Sequence, residues 1–181
     1  MQPHWPIETE RLLLRPFEAG DLESLHAIYS DAGVARFLYG DARTLEQTRE
    51  LLDRKLGPRL DAEGDWLSAA VVGRDSGELI GDMALNWVSE QHRTGEIGFV
   101  VAPAYQGLGY AAEAARPFLD FAFRTMGLHR VIARAEARNA ASVRVLEKLG
   151  MRREGLFVEN EWVKNEWQSE VFFAILEREW R

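Results

Sequence analysis

The chain has 181 residues, of which 46% are hydrophobic and none is cysteine. This length suits a single domain spanning residues 1–181, with a core that needs no disulfide bonds. The missing cysteine excludes thiolate nucleophiles, cysteine-ligated zinc and iron–sulfur clusters. Lysine and arginine total 22 against 29 aspartates and glutamates, a net charge of −7, so the composition gives no sign of a nucleic-acid partner.

The first ten residues lack the basic and apolar stretches of a secretory signal peptide. No apolar run approaches the ~20 residues that span a bilayer. We therefore expect a cytoplasmic protein with no membrane partner. The four histidines show no pair with the spacing of metal ligands, so no metal site is expected.

The first half of the chain is predicted to hold strands and two amphipathic helices. The elements are a strand at residues 11–17, a helix from Asp21, a helix from Thr44 to a stop at Gly57-Pro58, and strands at residues 66–72 and 79–88. The apolar faces of the two helices are Leu22, Leu25 and Ile28, then Leu45, Leu52 and Leu56. Thr44 and Gln47 form a capping box. Asp75-Ser76-Gly77 indicates a hairpin turn between the last two strands.

The second half alternates between strands and helices. The elements are a strand at residues 96–101, a helix at residues 111–126, a strand at residues 130–135, a helix from Asn139 to Gly150, and strands at about residues 156–163 and 167–176. Pro117 should kink the first of these helices. Asn139 can cap the second, and the last two strands meet around Lys164-Asn165. The tryptophans at positions 66, 87, 162 and 167 fall in strands and are expected to pack in the core. The order predicts a mixed α/β (α+β) domain around one largely antiparallel sheet flanked by helices.

The segment Gln106-Gly107-Leu108-Gly109-Tyr110-Ala111 lies between a predicted strand and a long helix. Its glycines let the backbone approach a ligand closely and adopt positive φ. The start of the helix supplies unpaired N–H groups and a positive dipole end, which together suit a pyrophosphate. The segment also fits the G-x-G-x-x-A pattern of dinucleotide sites, although residues 102–106 separate it from the strand. An ordinary strand-to-helix loop is a further alternative.

Several motifs in order resemble the GCN5-related N-acetyltransferases (GNAT). The loop matches their Q/R-x-x-G-x-G/A pattern at Gln106, Gly109 and Ala111. The other matching pieces are residues 10–15, 95–99 and 107–114, Asn139 with Ser142, and residues 147–151. More closely, the chain is similar to the RimJ/RimL-like branch, which acetylates the N-termini of ribosomal proteins.

This resemblance implies the GNAT fold and acetyl-CoA as the donor. The strands at residues 96–101 and 130–135 would then splay apart, with pantetheine in the gap. The residues implied to bind CoA are Val100 and Val101 for pantetheine, Gln106, Gly107, Leu108, Gly109, Tyr110 and Ala111 for the pyrophosphate, and Asn139 for the CoA arm. Since the chain is acidic, we expect the pyrophosphate site to rely on backbone N–H groups rather than on a basic patch.

The resemblance also suggests catalytic residues. Ser142 matches a serine that would protonate the departing thiolate, although it could simply hydrogen-bond in the first turn of its helix. Many relatives use a tyrosine seven residues after the asparagine, where this chain has Leu146. Glu161 matches a catalytic glutamate by position, and Glu96 lies on the strand beside the expected thioester. Either could be the general base, and a water chain is an alternative.

The expected acceptor is a primary amine. A protein N-terminal α-amine is the first expectation and a small-molecule amine the second. Without cysteine, the amine should attack the thioester directly in a ternary complex, although serine or lysine could still be acylated. A non-catalytic module that binds acyl-CoA is the rival from another class, and relatives suggest a homodimer.

Overall fold

The structure, a computed structural model, describes residues 1–57 and 60–181. Its strands are β1 (Ile7–Glu8), β2 (Leu12–Arg15), β3 (Trp66–Gly73), β4 (Leu79–Ser89), β5 (Thr94–Val101), β6 (Arg130–Glu136), β7 (Arg152–Val163) and β8 (Glu166–Leu176). Within the described residues they form one eight-stranded sheet in the order β1-β2-β3-β4-β5-β6-β8-β7. Neighbours are antiparallel apart from β5 and β6, which run parallel. The predicted fold class is confirmed.

The α-helices lie on both faces of this sheet. They are α1 (Leu22–Tyr29), α2 (Ala32–Ala35), α3 (Leu45–Lys55), α4 (Tyr110–Asp120) and α5 (Ala140–Lys148). Helix α4 keeps its α form through Pro117 and then passes into a π turn at Phe121–Thr125. The second helix was predicted to stop at Gly57-Pro58. Helix α3 ends at Lys55, two residues before Gly57, and Pro58 lies outside the described residues.

Two apolar clusters fill the space between the sheet and the helices. One cluster contains Met83 and Ile97 of the sheet together with Phe118 of α4. In the other, Leu25 of α1 and Leu52 of α3 are the buried partners of the opposite face. The helices of the two described stretches include none long and apolar enough to cross a membrane.

Two caps predicted from the sequence are present, whereas Asp21, from which the first helix was expected to begin, makes no side-chain cap bond to α1 and binds Arg15 instead. The Thr44 hydroxyl accepts from the Gln47 N–H, and the Gln47 side chain accepts from the Thr44 N–H. The side chain of Asn139 accepts from the Ser142 N–H at the start of α5. Local sequence therefore sets the first residue of each of these helices.

Several burial predictions were wrong. Leu45 and Leu56 are exposed, since Leu45 is the first residue of α3 and Leu56 lies beyond its last. Of the predicted apolar face Leu52 is buried, together with Thr48 one turn before it. The tryptophans at positions 66, 162 and 167 are also exposed. Trp162 and Trp167 contact each other edge to face near the tip of the β7–β8 hairpin, with ring centroids 5.3 Å apart. They are exposed because β7 is an edge strand of the described sheet.

Candidate active site

A gap opens in the middle of the sheet. Strands β5 and β6 pair only through Thr94–Glu96 and Arg130–Ile132. Beyond this point β5 remains paired with β4 as far as Val101, and β6 remains paired with β8 as far as Glu136. The two parallel strands therefore splay apart, as the resemblance implied.

The loop after β5 ends in an open helix terminus. Gly107 and Gly109 have φ of 77° and 88°, a region that favours glycine. Gly109 is the N-cap of α4, and no side chain in this described segment caps that end. The first N–H groups of a helix lack partners within it, so they are available to an anion. The Gln106 amide donates to the Val101 carbonyl over 2.9 Å and ties the loop to β5.

A brace from the N-terminal segment holds this loop. Arg11 donates to the Leu108 carbonyl over 3.1 Å and to Glu113 of α4 over 2.7 Å. Thr9 also donates to Glu113, over 2.6 Å. Burial acts to raise the pKa of Glu113, but the hydrogen bonds from Thr9 and Arg11 outweigh it and the pKa is lowered. The charged carboxylate thus fixes Arg11 against the loop.

Basic side chains surround the loop, in contrast to the expectation of backbone N–H groups alone. A β-carbon placed on Gly109 would lie 3.5 Å from Arg11 and 3.6 Å from Nζ of Lys148. Arg144 lies one turn before Lys148 on α5, and both line the same cavity. Arg11 is paired with Glu113, whereas Arg144 and Lys148 have no ion-pair partner among the described residues. The positive charge at this end of the cavity is therefore available to an anionic ligand.

A cavity of about 1430 Å³ extends from this loop to the β7–β8 hairpin. It is larger than the roughly 300–1,000 Å³ of typical small-molecule pockets, as a site for two substrates would be. The sequence-predicted residues that line it are Val100, Val101, Gln106, Gly107, Leu108, Gly109, Tyr110, Ala111, Asn139, Ser142 and Glu161. Glu96 is not among the described residues that line it, and its carboxylate binds Arg134 over 2.8 Å.

Local structure positions the two catalytic candidates in the cavity. Ser142 lies in the first turn of α5, and its N–H donates to Asn139 Oδ1 over 3.1 Å. The pairing of β7 with β8 shifts register after Phe157, and regular pairing resumes at Glu161. Such a bulge bends the strand and redirects side chains, which brings Glu161 to the cavity wall.

Sequence reasoning missed a carboxylate on the same wall. Glu170 of β8 lines the cavity and is buried. The Tyr39 hydroxyl donates to it over 2.6 Å. Burial of this hydroxyl and its bond to Glu170 raise the pKa of Tyr39. A signal was present, since Glu170 alternates in the sequence with the apolar residues Phe172 and Ala174 and therefore shares their strand face.

A second missed group lies under α1 and α3. Asp82 of β4 binds Nζ of Lys55 over 2.7 Å and accepts from the Tyr29 hydroxyl over 2.6 Å. Burial of Tyr29 and the charge of Asp82 raise the pKa of Tyr29 well above its usual range. No local motif marks this group, because its members come from three separate elements. Nowhere in residues 1–57 and 60–181 does a group of three or more His, Asp or Glu side chains lie where it could hold a metal ion.

Comparison with known proteins agrees with this geometry. The profile of the Acetyltransferase (GNAT) domain matches residues 11–152. The chain is 38% identical to the uncharacterized N-acetyltransferase YnaD of Bacillus subtilis strain 168, covering 96% of this chain and 98% of YnaD. A GNAT-family acetyltransferase structure from Bacillus anthracis is 38% identical, with a TM-score of 0.86 over 96% of this chain and 99% of that one.

A more distant structure shares the fold. The spermidine N-acetyltransferase of Vibrio cholerae, in complex with CoA and spermine, is 24% identical, with a TM-score of 0.79 over 94% of this chain and 98% of that one. The chain thus belongs to the GNAT family, whose members use acetyl-CoA. It is an acetyl-CoA-dependent N-acetyltransferase acting on an amine.

Proposed function

We propose that this enzyme transfers the acetyl group of acetyl-CoA directly to a small primary amine. The observation that carries the proposal is a pair of contacts that bridge the acceptor side of the cavity. Tyr39, between α2 and α3, binds Glu170 of β8 over 2.6 Å, and Lys164 at the hairpin tip donates to the Ala35 carbonyl. A bridged opening suits a small acceptor better than a folded protein.

The residues present fit acetyl-CoA. The splayed β5 leaves Val100 and Val101 to pair with pantetheine, and the loop from Gln106 to Ala111 would hold the pyrophosphate with its backbone N–H groups. Asn139 uses its oxygen as a helix cap, so its amide nitrogen would contact the CoA arm. Bound acetyl-CoA supplies a thioester carbon that an amine can attack.

We assign the proton transfers to the two catalytic candidates that line the cavity. The neutral amine forms a bond from its nitrogen to the thioester carbon, the C–S bond breaks, and Ser142 gives its hydroxyl proton to the CoA thiolate. Glu161 takes the proton that the amine nitrogen loses, and its return through solvent to Ser142 restores both side chains. Glu96 is the weaker candidate because it is committed to Arg134.

An amine panel tests the acceptor. CoA release from acetyl-CoA is followed with a thiol reagent, which this cysteine-free chain cannot consume. Release with small primary amines and not with N-terminal peptides supports the proposal. Release with peptides alone would instead favour a protein N-terminal amine, the acceptor implied by the RimJ/RimL resemblance, and no release with either would overturn both.

The proton-transfer roles have separate tests. Ser142→Ala should lower kcat while acetyl-CoA still binds, and Ser24→Ala on the exposed side of α1 is the matched control. Glu161→Gln should flatten the low-pH limb of kcat/KM, and Glu96→Gln should not. The opposite result would transfer the base role to Glu96.

Direct transfer makes one further prediction. Without an amine, the enzyme should release no stoichiometric burst of CoA, because no acetyl-enzyme forms. A burst equal to the enzyme concentration would identify an acylated serine or lysine.

A cytoplasmic location and a homodimer rest on the sequence alone and stay predictions.

A further inference from the structure

Glu170 is a buried carboxylate that faces the cavity. Its residue is 6% exposed. The Tyr39 hydroxyl donates to Oε1 over 2.6 Å, and the Asn160 amide donates to Oε2 over 2.9 Å. Asn160 also accepts from the Glu170 backbone N–H over 3.2 Å. Both side-chain partners are neutral, so they orient the carboxylate without cancelling its charge.

The described residues provide no ion pair to Glu170. Arg134 also lines the cavity, but its guanidinium is bound to Glu96 over 2.8 Å. A carboxylate this deeply buried is rarely left without a positive partner, because losing water around a charge is costly. A cationic ligand would supply that partner.

The surrounding charges point the same way. Glu161 lines the cavity on the paired strand, close enough for its charge to act on Tyr39. The charge of Arg134 acts on both Glu96 and Glu170, so one guanidinium is shared between two carboxylates. This local excess of negative charge lies away from Lys148 and the phosphate loop, and it attracts cations.

We propose that Glu170 binds a second ammonium group of the acceptor, so that the preferred acceptor is a diamine. The proposal rests on the proposed function, in which the acceptor is a small primary amine. The reacting nitrogen must be neutral to attack, and a nearby carboxylate favours the charged form of an amine. Glu170 therefore suits the nitrogen that does not react. An ionised carboxylate has about four lone-pair sites, and the two side-chain bonds leave room for an ammonium.

The test compares 1,4-diaminobutane with 1-aminobutane, which have the same carbon chain. The wild-type enzyme should have a KM at least about tenfold lower for the diamine, as expected for a charge-assisted hydrogen bond. Glu170→Gln should remove this preference by raising the KM for the diamine alone. Calorimetric binding of the diamine to the CoA-bound enzyme should weaken by the same factor.

Two further variants separate charge from structure. Glu159→Gln removes the same charge from an exposed position on the same hairpin and should leave both KM values unchanged. Tyr39→Phe removes a neutral donor and keeps the carboxylate, so the preference for the diamine should persist.

Several outcomes would overturn the inference. Equal KM values for the two amines with the wild-type enzyme would do so even if Glu170→Gln failed to fold. An equal rise for both amines in Glu170→Gln would also reject it, since that result indicates general damage. Either result leaves the proposed function standing, whereas failure of the wild-type enzyme to acetylate any small amine would reject the proposed function itself.

Discussion

Asp82 and Lys55 form an ion pair at the cavity wall, and their side chains are 4% and 11% exposed. Removing one charge of a buried pair leaves the other uncompensated, at a cost of about 3–5 kcal/mol. We therefore expect Asp82→Asn to lower the free energy of unfolding by about 3 kcal/mol. Urea denaturation measures this as a lower midpoint with an unchanged slope.

The matched control for this change is Glu8→Gln. Glu8 pairs with Arg74 over 3.4 Å at an exposed site, where an ion pair contributes at most about 1 kcal/mol. Equal losses in the two variants would show that the burial of Asp82 adds nothing to its pairing.

Glu154 couples stability to acid pH. The bond from Arg130, reinforced by Arg152, lowers the pKa of Glu154 from 4.5 to about 2. A carboxylate with a lower pKa in the folded state stabilises the fold above its unfolded pKa, and this stability disappears as pH falls towards the folded pKa. The contribution of Glu154 to the free energy of unfolding should therefore be complete above about pH 4.5 and vanish towards about pH 2.

Glu154→Gln tests this coupling. The difference in unfolding free energy between the variant and the wild type should shrink as the pH is lowered through that window, measured in urea at a series of pH values. It should be modest, because the pair is partly exposed and screened by solvent. Glu23→Gln, at an exposed position on α1, is the control, and a pH-independent difference for Glu154→Gln would contradict the expectation.

At the scale of elements, the turn between β5 and α4 depends on Gly109. Gly109 has φ of 88°, and Gly77 in the β3–β4 turn has φ of 69°. Alanine at either position should cost about 1 kcal/mol or more of stability, because an L side chain is strained there. Only Gly109→Ala should also weaken CoA binding, by about tenfold or more, since its new β-carbon would lie beside Arg11 and Lys148. Calorimetric titration with CoA distinguishes the two variants, and equal affinities would mean that the loop is misassigned.

Helix α5 contributes charge to the same site. Lys148 and Arg144 line the cavity beside the loop, so we expect Lys148→Met to weaken CoA binding by about tenfold, as for a lost hydrogen bond to a charged group. Arg49→Met removes one positive charge from the exposed side of α3 and is the control. If both variants bind CoA as the wild type does, then Lys148 does not contact the phosphates.

The elements that sequence predicted well are those with a period or a marked end. The Thr44 and Asn139 caps and the turn at Lys164-Asn165 are local signals, and both turn residues adopt positive φ as hairpin turns require. Strand β1 and helix α2 were missed because elements of two and four residues are too short to show a period.

The residues of the candidate site also differ in how far the sequence could predict them. The loop from Gln106 to Ala111 could be recognised because its residues are consecutive. Glu170 and Tyr39 could not, because they are 131 residues apart in sequence and meet only when β8 packs into the sheet. The burial of Trp162 was mispredicted for a related reason, since alternation cannot show that β7 is an edge strand.

At the scale of the whole molecule, the net charge of −7 is unevenly distributed. Basic side chains gather near Gly109, while carboxylates gather near the β7–β8 hairpin. This distribution supports the proposal that an anionic donor and a cationic acceptor bind in different parts of one cavity. The distribution also explains how an acidic protein can bind a polyphosphate without a basic surface overall.

Ligand-induced stabilisation tests this arrangement in the intact protein. A ligand that binds only the folded state at about 100 times its Kd adds about 2.7 kcal/mol of stability. For a protein of 150–250 residues this corresponds to a rise in Tm of about 5–10 °C. We expect this shift with acetyl-CoA and none with NAD. The splayed β5 and β6 admit pantetheine, whereas a dinucleotide site follows its strand directly in a doubly wound parallel sheet. Here residues 102–106 separate the glycines from β5, and β5 and β6 are the one parallel pair among the described strands. A shift with NAD would revive the dinucleotide interpretation of Gly107 and Gly109, and no shift with acetyl-CoA would contradict the assigned donor site.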